Sequence, residues 1–328
     1  MPSTTKTDRR HVLRAGLNGI AGVAAWPLLG LAGTPRRAAA QVAGRSAAGT
    51  AEVTTEALGD RVTLIRGVPG NVVALSTGQG LVLVDSGAAN STTVLQATLE
   101  DALGAMPVRA LFNTHYHADQ TGGNADFAEA GAAIRAHEIT RQWLSADYYV
   151  PAEDRWVEAP PIGARPTETF RLRQAWTVDG DRVEAGYLLE AHTRGDIYVF
   201  FRDANVLAVG DVASPERDPV HDWYAGGWLG GRVDALDDLL EIANDETRIV
   251  PAYGPVMTRA ELEAERDMMS QLYERTSTLV NAGRSAEDLL AAGVLDDVER
   301  EFDDPYRFLY DVAKGLWAHY LNFGGNVV

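Results

Sequence analysis

The stretch Asn113 to Asn124, NTHYHADQTGGN, sets two histidines, an aspartate and a glutamine within six residues. His115, His117 and Asp119 stand at i, i+2 and i+4, so in an extended segment their side chains project to one side. Neutral imidazoles and a carboxylate in that arrangement are donors for zinc or a similar divalent ion. Val108 to Phe112 (VRALF) reads as a buried strand, which places the donors where a strand gives way to a loop. The competing reading is a polar loop that carries two histidines by coincidence. It weakens because further donors occur downstream in the same setting. His192 lies in a turn, AHTRGD, just after a strand, and Asp211 ends the strand of LAVGDVA. A site assembled along one edge of a sheet needs polar residues at strand ends of this kind.

The elements that must position these residues alternate strand and helix. Val62 to Arg66, Asn71 to Ser76 and Leu81 to Asp85 read as a meander turned by Gly78-Gln79-Gly80. Asp85, in LVLVDSG, is expected to bond loop amides and steady the neighbouring loop. Thr92 to Met106 is helical through Val94, Leu95, Leu99 and Leu103. Short helices at Asn124 to Ala130 and Glu138 to Leu144 flank a strand at Ala133 to Ala136. Tyr148 to Thr169 lacks a period and reads as a functional loop; Tyr148, Tyr149 and Trp156 either wall a substrate pocket or pack the loop down. Strands around Trp176 to Val178, Tyr187 to Glu190, Asp196 to Phe201, Val206 to Val209 and Thr247 to Tyr253 follow. Thr258 with Glu261, and Ser285 with Asp288, start two helices. Asp304-Pro305 opens a last one with Phe308, Leu309, Val312, Leu316 and Tyr320 on its apolar side. Residues 258–328 therefore read as a helical region for packing or an interface, with His319 incidental.

Composition narrows the chemistry. The chain has no cysteine, so thiolate metal sites, cysteine nucleophiles and disulfides are excluded. At 328 residues and 46% hydrophobic it can bury one large core. Residues 1–40 read as a signal peptide: Arg9-Arg10 before His11, Val12 and Leu13 resembles a twin-arginine motif, followed by a weakly apolar run and Ala38-Ala39-Ala40. Residues 41–52 read as a small-residue linker. The expectation is export to the periplasm or beyond, with no membrane contact after cleavage. Residues 1–40 carry six basic side chains against one acidic, so their removal takes the net charge from −17 to −22. That argues against a nucleic-acid partner and leaves a small-molecule substrate, with self-association left open.

With these stations in place, the chain resembles the metallo-β-lactamase superfamily. The motifs THYHADQTGGN, AHTRGD, VGDVA and VPAYGP occur in the family's order, over roughly Val53 to Met257. The resemblance implies a four-layer αββα sandwich, with the helical region 258–328 appended. It implies His115, His117 and His192 as a three-histidine metal site, and Asp119 and Asp211 as carboxylates of a second. The sequence departs from the family at two positions, Gln120 and Tyr253, where histidines are expected. A carboxamide is a poor ligand, and a phenol must lose its proton to compete. The expectation is one firmly bound zinc, with a second ion weak or absent; Gln120 is expected behind the ligands. His221 is either a replacement ligand able to swing in or a surface-loop residue.

The leading reading is a zinc-dependent hydrolase. In it, metal-bound hydroxide attacks an ester, lactone or amide, β-lactams included. Asp119 orients the nucleophile and moves its proton, and Tyr253 donates to the developing oxyanion. Two other readings compete: a mononuclear iron oxygenase of the persulfide dioxygenase type on His115, His192 and Asp211, and a noncatalytic metal-binding protein.

Overall fold

A computed structural model of the chain describes residues 52–151 and 153–321. The expected signal, residues 1–40, and linker residues 41–51 lie outside them. The first sheet contains β1 (Thr54–Ala57), β2 (Val62–Arg66), β3 (Val72–Ser76), β4 (Leu81–Val84), β5 (Val108–Phe112), β6 (Ala133–His137) and, after the hairpin β7 (Tyr148–Val150) and β8 (Arg155–Val157), β9 (Glu168–Phe170). It carries α1 (Thr92–Leu103), α2 (Ala118–Thr121), α3 (Asn124–Glu129) and α4 (Glu138–Trp143) in its connections. The second sheet runs in sequence order through β10 (Arg173–Val178), β11 (Asp181–Tyr187), β12 (Ile197–Phe201), β13 (Val206–Gly210) and β14 (Arg248–Pro251). Helix α5 (Leu229–Ile242) crosses between the parallel strands β13 and β14; α6 (Arg259–Asn281), α7 (Ala286–Ala291) and α8 (Pro305–Leu321) follow.

Side-chain alternation along single strands builds the layers. On β4, Val82 and Val84 face the space between the sheets, while Leu81 and Leu83 meet Leu95 and Leu99 of α1. On β13, Val206 and Ala208 enter that same inter-sheet core, and Leu207 and Val209 pack against α5, α6 and α8 through Leu236, Met269 and Leu316. Each sheet thus buries one face on its partner and the other on helices, giving the αββα sandwich with C-terminal helices on the outer face of the second sheet.

Several expectations change. Tyr148 to Thr169 is not a structureless loop: it contains the antiparallel β7–β8 hairpin and β9, which joins β6 in parallel. Its short strands of three residues each fall below what periodicity can register. The segment expected as a strand at Tyr187 to Glu190 is the end of β11 followed by a turn, with Glu190 at φ +50°. The β10–β11 hairpin turns instead at Asp179-Gly180, with φ of +53° and +93°, the left-handed pair that suits a tight hairpin. Helix α5 was missing from the sequence reading because Gly226, Gly227, Gly230 and Gly231 crowd its start. Both capping boxes, Thr258 with Glu261 and Ser285 with Asp288, are present. Tyr320 is exposed rather than on the apolar side of α8. His319 is not incidental: its ring stacks 3.7 Å from that of Trp228, and Nδ1 lies 3.2 Å from Glu190.

Candidate metal centre

Strand β5 delivers Asn113 to His117 to the edge of the first sheet, and the turns after β11 and β13 deliver His192 and Asp211 from the second. Asp85, at φ +60° just past β4, shapes the first delivery. Its carboxylate accepts from the Thr114 amide at 2.8 Å and the Thr114 hydroxyl at 2.7 Å, the steadying role expected of it. Asp196 shapes the second, accepting from the His192 and Thr193 amides at 2.7 Å and the Thr193 hydroxyl at 2.8 Å. Such carboxylates hold a turn by pairing its otherwise orphaned N–H groups.

His115, His117, His192 and Asp211 bring one ligand atom each within 4.8 Å of one another. Nδ1 of His117 lies 3.1 Å from Nε2 of both His115 and His192. The outward nitrogens have their own acceptors: His115 Nδ1 is 3.1 Å from Thr114 Oγ1, His117 Nε2 is 2.9 Å from Asp222, and His192 Nδ1 is 2.8 Å from the Val220 carbonyl. Since the Thr114 hydroxyl donates to Asp85, it accepts from His115. Three imidazoles anchored by their outer N–H groups aim their lone pairs at one point, the arrangement metal-binding histidines use. Nitrogens about 2.0–2.1 Å from a tetrahedral zinc are about 3.4 Å apart, close to the spacing found. Asp211 Oδ2 is buried without a hydrogen bond, 3.5 Å from His115 Nε2 and 3.8 Å from His192 Nε2. The four donors fit a divalent cation.

Electrostatics favour the neutral, ligating form of two of the three histidines. Burial, then the neighbouring His117, pushes His115 down to about 4. Burial also holds His192 well below the usual histidine range. For His117 burial acts in the same sense, but the hydrogen bond and charge of Asp222 outweigh it and raise its pKa. Burial would raise Asp211; chiefly the Arg217 guanidinium reverses that and keeps it ionised.

The remaining predicted residues sit differently. Asp119 does not join the four donors: its Oδ2 accepts from the Tyr253 hydroxyl. That hydroxyl, expected to meet a substrate oxyanion, has its single hydrogen committed to Asp119. Burial and then Asp119 raise the Tyr253 pKa strongly, so it stays a phenol. Gln120 is fully buried against Gly70, where an added Cβ would lie 2.5 Å from its amide, and neither amide atom has a hydrogen-bond partner. Its side chain makes no hydrogen bond to a ligand histidine; only its backbone amide does, donating to the His117 carbonyl at 3.0 Å. His221 is not a surface residue and is not one of the four clustered donors: it is buried, its ring faces Phe308 at 5.8 Å, and neither nitrogen is paired. Tyr148 packs edge-on against Tyr116 at 5.4 Å and Trp143 at 5.1 Å, while Tyr149 and Trp156 are exposed and face each other.

Sequence reasoning missed Tyr116, Asp222, Arg217 and Arg232. Tyr116 and His117 share the Asp222 Oδ2 acceptor. Arg217 bonds Asp211 Oδ1, and its guanidinium carbon lies 3.5 Å from the centre of the Tyr253 ring. Arg232, wholly buried on α5, donates to the carbonyls of Asp211 at 2.9 Å and Val220 at 2.7 Å, clamping both ends of the loop between them. A basic residue six places after Asp211, and an acid adjoining His221, were the only traces of these in the sequence.

Residues 65–256 match the profile of the Metallo-beta-lactamase superfamily. Among curated proteins, the chain is 27% identical over 268 residues to the 2,4-dinitroanisole O-demethylase subunit alpha of Nocardioides sp., covering 79% of this chain and 71% of that protein. It is 26% identical over 206 residues to the Metallo-beta-lactamase type 2 of Bacillus cereus, covering 62% and 73%. Among solved structures, a metallo-beta-lactamase from Pontibacter korlensis superposes with TM-score 0.56 at 20% identity, covering 67% of this chain and 99% of that one. The sec-alkylsulfatase Pisa1 from Pseudomonas sp. superposes with TM-score 0.61 at 18% identity, covering 84% of this chain and 51% of that one. At these identities the structural likenesses speak for the fold alone.

Proposed function

Because the chain belongs to the metallo-β-lactamase superfamily, we propose that it is a metal-dependent hydrolase with one zinc held by His115, His117 and His192, acting on an ester, lactone or amide, β-lactams included. The observation that carries this reading is the convergence of three anchored imidazole lone pairs, with His117 Nδ1 3.1 Å from both partners. A zinc ion bound there supplies Lewis acidity and lowers the pKa of a water toward neutrality. Asp211 Oδ2 adjoins the same donors and balances their charge. Asp119 orients the water and takes its proton, and Tyr253 holds the Asp119 carboxylate in place. The Gln120 side-chain amide makes no hydrogen bond, and Tyr253 remains a phenol, so a second ion is weak or absent.

A demethylase among the relatives keeps bond types beyond acyl compounds in view for this chain. The iron oxygenase reading would use His115, His192 and Asp211. The placement of His117 as an equal third donor favours the three-histidine set. The test is elemental mass spectrometry of the purified protein without residues 1–40. About one zinc per chain, with turnover in an ester, lactone and β-lactam screen, is expected. Iron with oxygen consumption, or no bound metal after reconstitution, would sink the reading. Export to the periplasm or beyond remains part of the proposal, resting on Arg9-Arg10 and the apolar run after them.

A further inference from the structure

The side of the centre that lacks two imidazoles still has a positive charge. Arg217 bonds Asp211 Oδ1, and its guanidinium lies over the ring of Tyr253, which in turn bonds Asp119. The three residues on that side are thus gathered around one cation. We propose that Arg217 stands in for a second divalent ion, barring its entry and offering its outer N–H edge to an oxyanion group of the substrate, such as a carboxylate, phosphate or sulfate. This rests on the single-zinc reading above.

Arg217 is built into place. Arg300, from the segment before α8, donates to the Arg217 carbonyl. The next residue, Asp218, accepts from the amides of Asp303 at 3.0 Å and Asp304 at 2.8 Å. Inside, Arg232 clamps the loop at Asp211 and Val220. The Arg217 side chain is 32% exposed even with its Nη2 bonded to Asp211. A guanidinium has five donors in a fork that matches two oxygens of an oxyanion. Unlike a bound ion, it cannot dissociate, and it keeps its charge throughout the working pH range. A dication arriving beside it would meet repulsion and find Asp211 Oδ1 already bonded.

The experiment counts zinc per chain after equilibration with excess zinc, by elemental mass spectrometry. Wild type and the variant Gln120→His with Tyr253→His are both expected to hold about one, because Arg217 still bars the second position; adding Arg217→Met to that variant should bring the count to about two. A double variant that already holds two, or a folded triple variant that stays at one, overturns the role of Arg217. A wild type without zinc overturns the single-zinc centre itself and this proposal with it. An independent arm keeps the question open to refutation if the triple variant does not fold: calorimetric titration of inorganic phosphate into zinc-loaded wild type and Arg217→Met. Binding should weaken at least about tenfold in the variant and recover partly in Arg217→Lys. Equal affinity in wild type and Arg217→Met would overturn the proposed oxyanion contact.

Discussion

His117 Nε2 lies 2.9 Å from the Asp222 carboxylate, so the second histidine of the motif is oriented from behind by a residue over a hundred positions later in the chain. The same carboxylate oxygen takes the Tyr116 hydroxyl. Partners of this kind typically contribute 10–100-fold in metal affinity. Asp222→Ala should therefore weaken zinc binding by about that factor, read by competition with a chromophoric chelator. Unchanged affinity would show that His117 is held by other contacts.

Asp119 makes its hydrogen bond to Tyr253 and is not one of the four clustered donors. Asp119→Ala should leave the zinc content unchanged while turnover falls by about 10²–10⁴-fold, the usual contribution of a positioned acid or base. Tyr253→Phe should cost less, since it frees the carboxylate without removing it. Full activity in Asp119→Ala would end the role assigned to it.

Glu184 gives a pH dependence far from the centre. It is buried on β11 and accepts from Tyr198 at 3.1 Å and from Arg202 at 3.0 Å, with Arg173 also paired to it. Burial works against its charge, but these three partners prevail and hold its pKa below the usual value. A lowered carboxylate pKa adds stability above the unfolded-state value, and that stability is lost as pH falls through the folded-state value. Glu184→Gln should cost about 1–2 kcal/mol at pH 7, since two of the partners are partly exposed. Urea unfolding should show the difference closing in acid, and a difference that persists there would refute the assignment.

Trp228 and His319 stack with 12° between their planes, and His319 also meets Glu190, two residues before His192. His319→Ala should lose about 0.5–1.5 kcal/mol. Thermal unfolding should record a drop of a few degrees, and an unshifted midpoint would return His319 to a passive surface role.

Sheets covered by helices were legible in the succession of strands and helices, and the caps Thr258 and Ser285 because they act over a few neighbours; the four-layer arrangement came with the family resemblance, since β4 and β13 are apolar on both faces. The four clustered donors were legible because two share one motif and the others follow strands. Arg217, Asp222 and Arg232 were not. Their partners are brought to them by chain folding, and an arginine or aspartate in a loop has the same local signature whether it is solvated or buried. Helix α5 escaped because its opening glycines read as loop. Those glycines are packing requirements: a Cβ on Gly227 would lie 1.9 Å from the His192 carbonyl oxygen.

His117 comes from one sheet and His192 from the other, 75 residues apart in sequence. An ion held by both is a crosslink between the two halves of the sandwich, in a chain that has no cysteine to make one. On the loop-closure argument applied to disulfides, tying a loop of that length removes about 4 kcal/mol of freedom from the unfolded chain. Chelation would then act as a reducing agent does on a disulfide-bonded protein, lowering the stability of the sandwich as a whole.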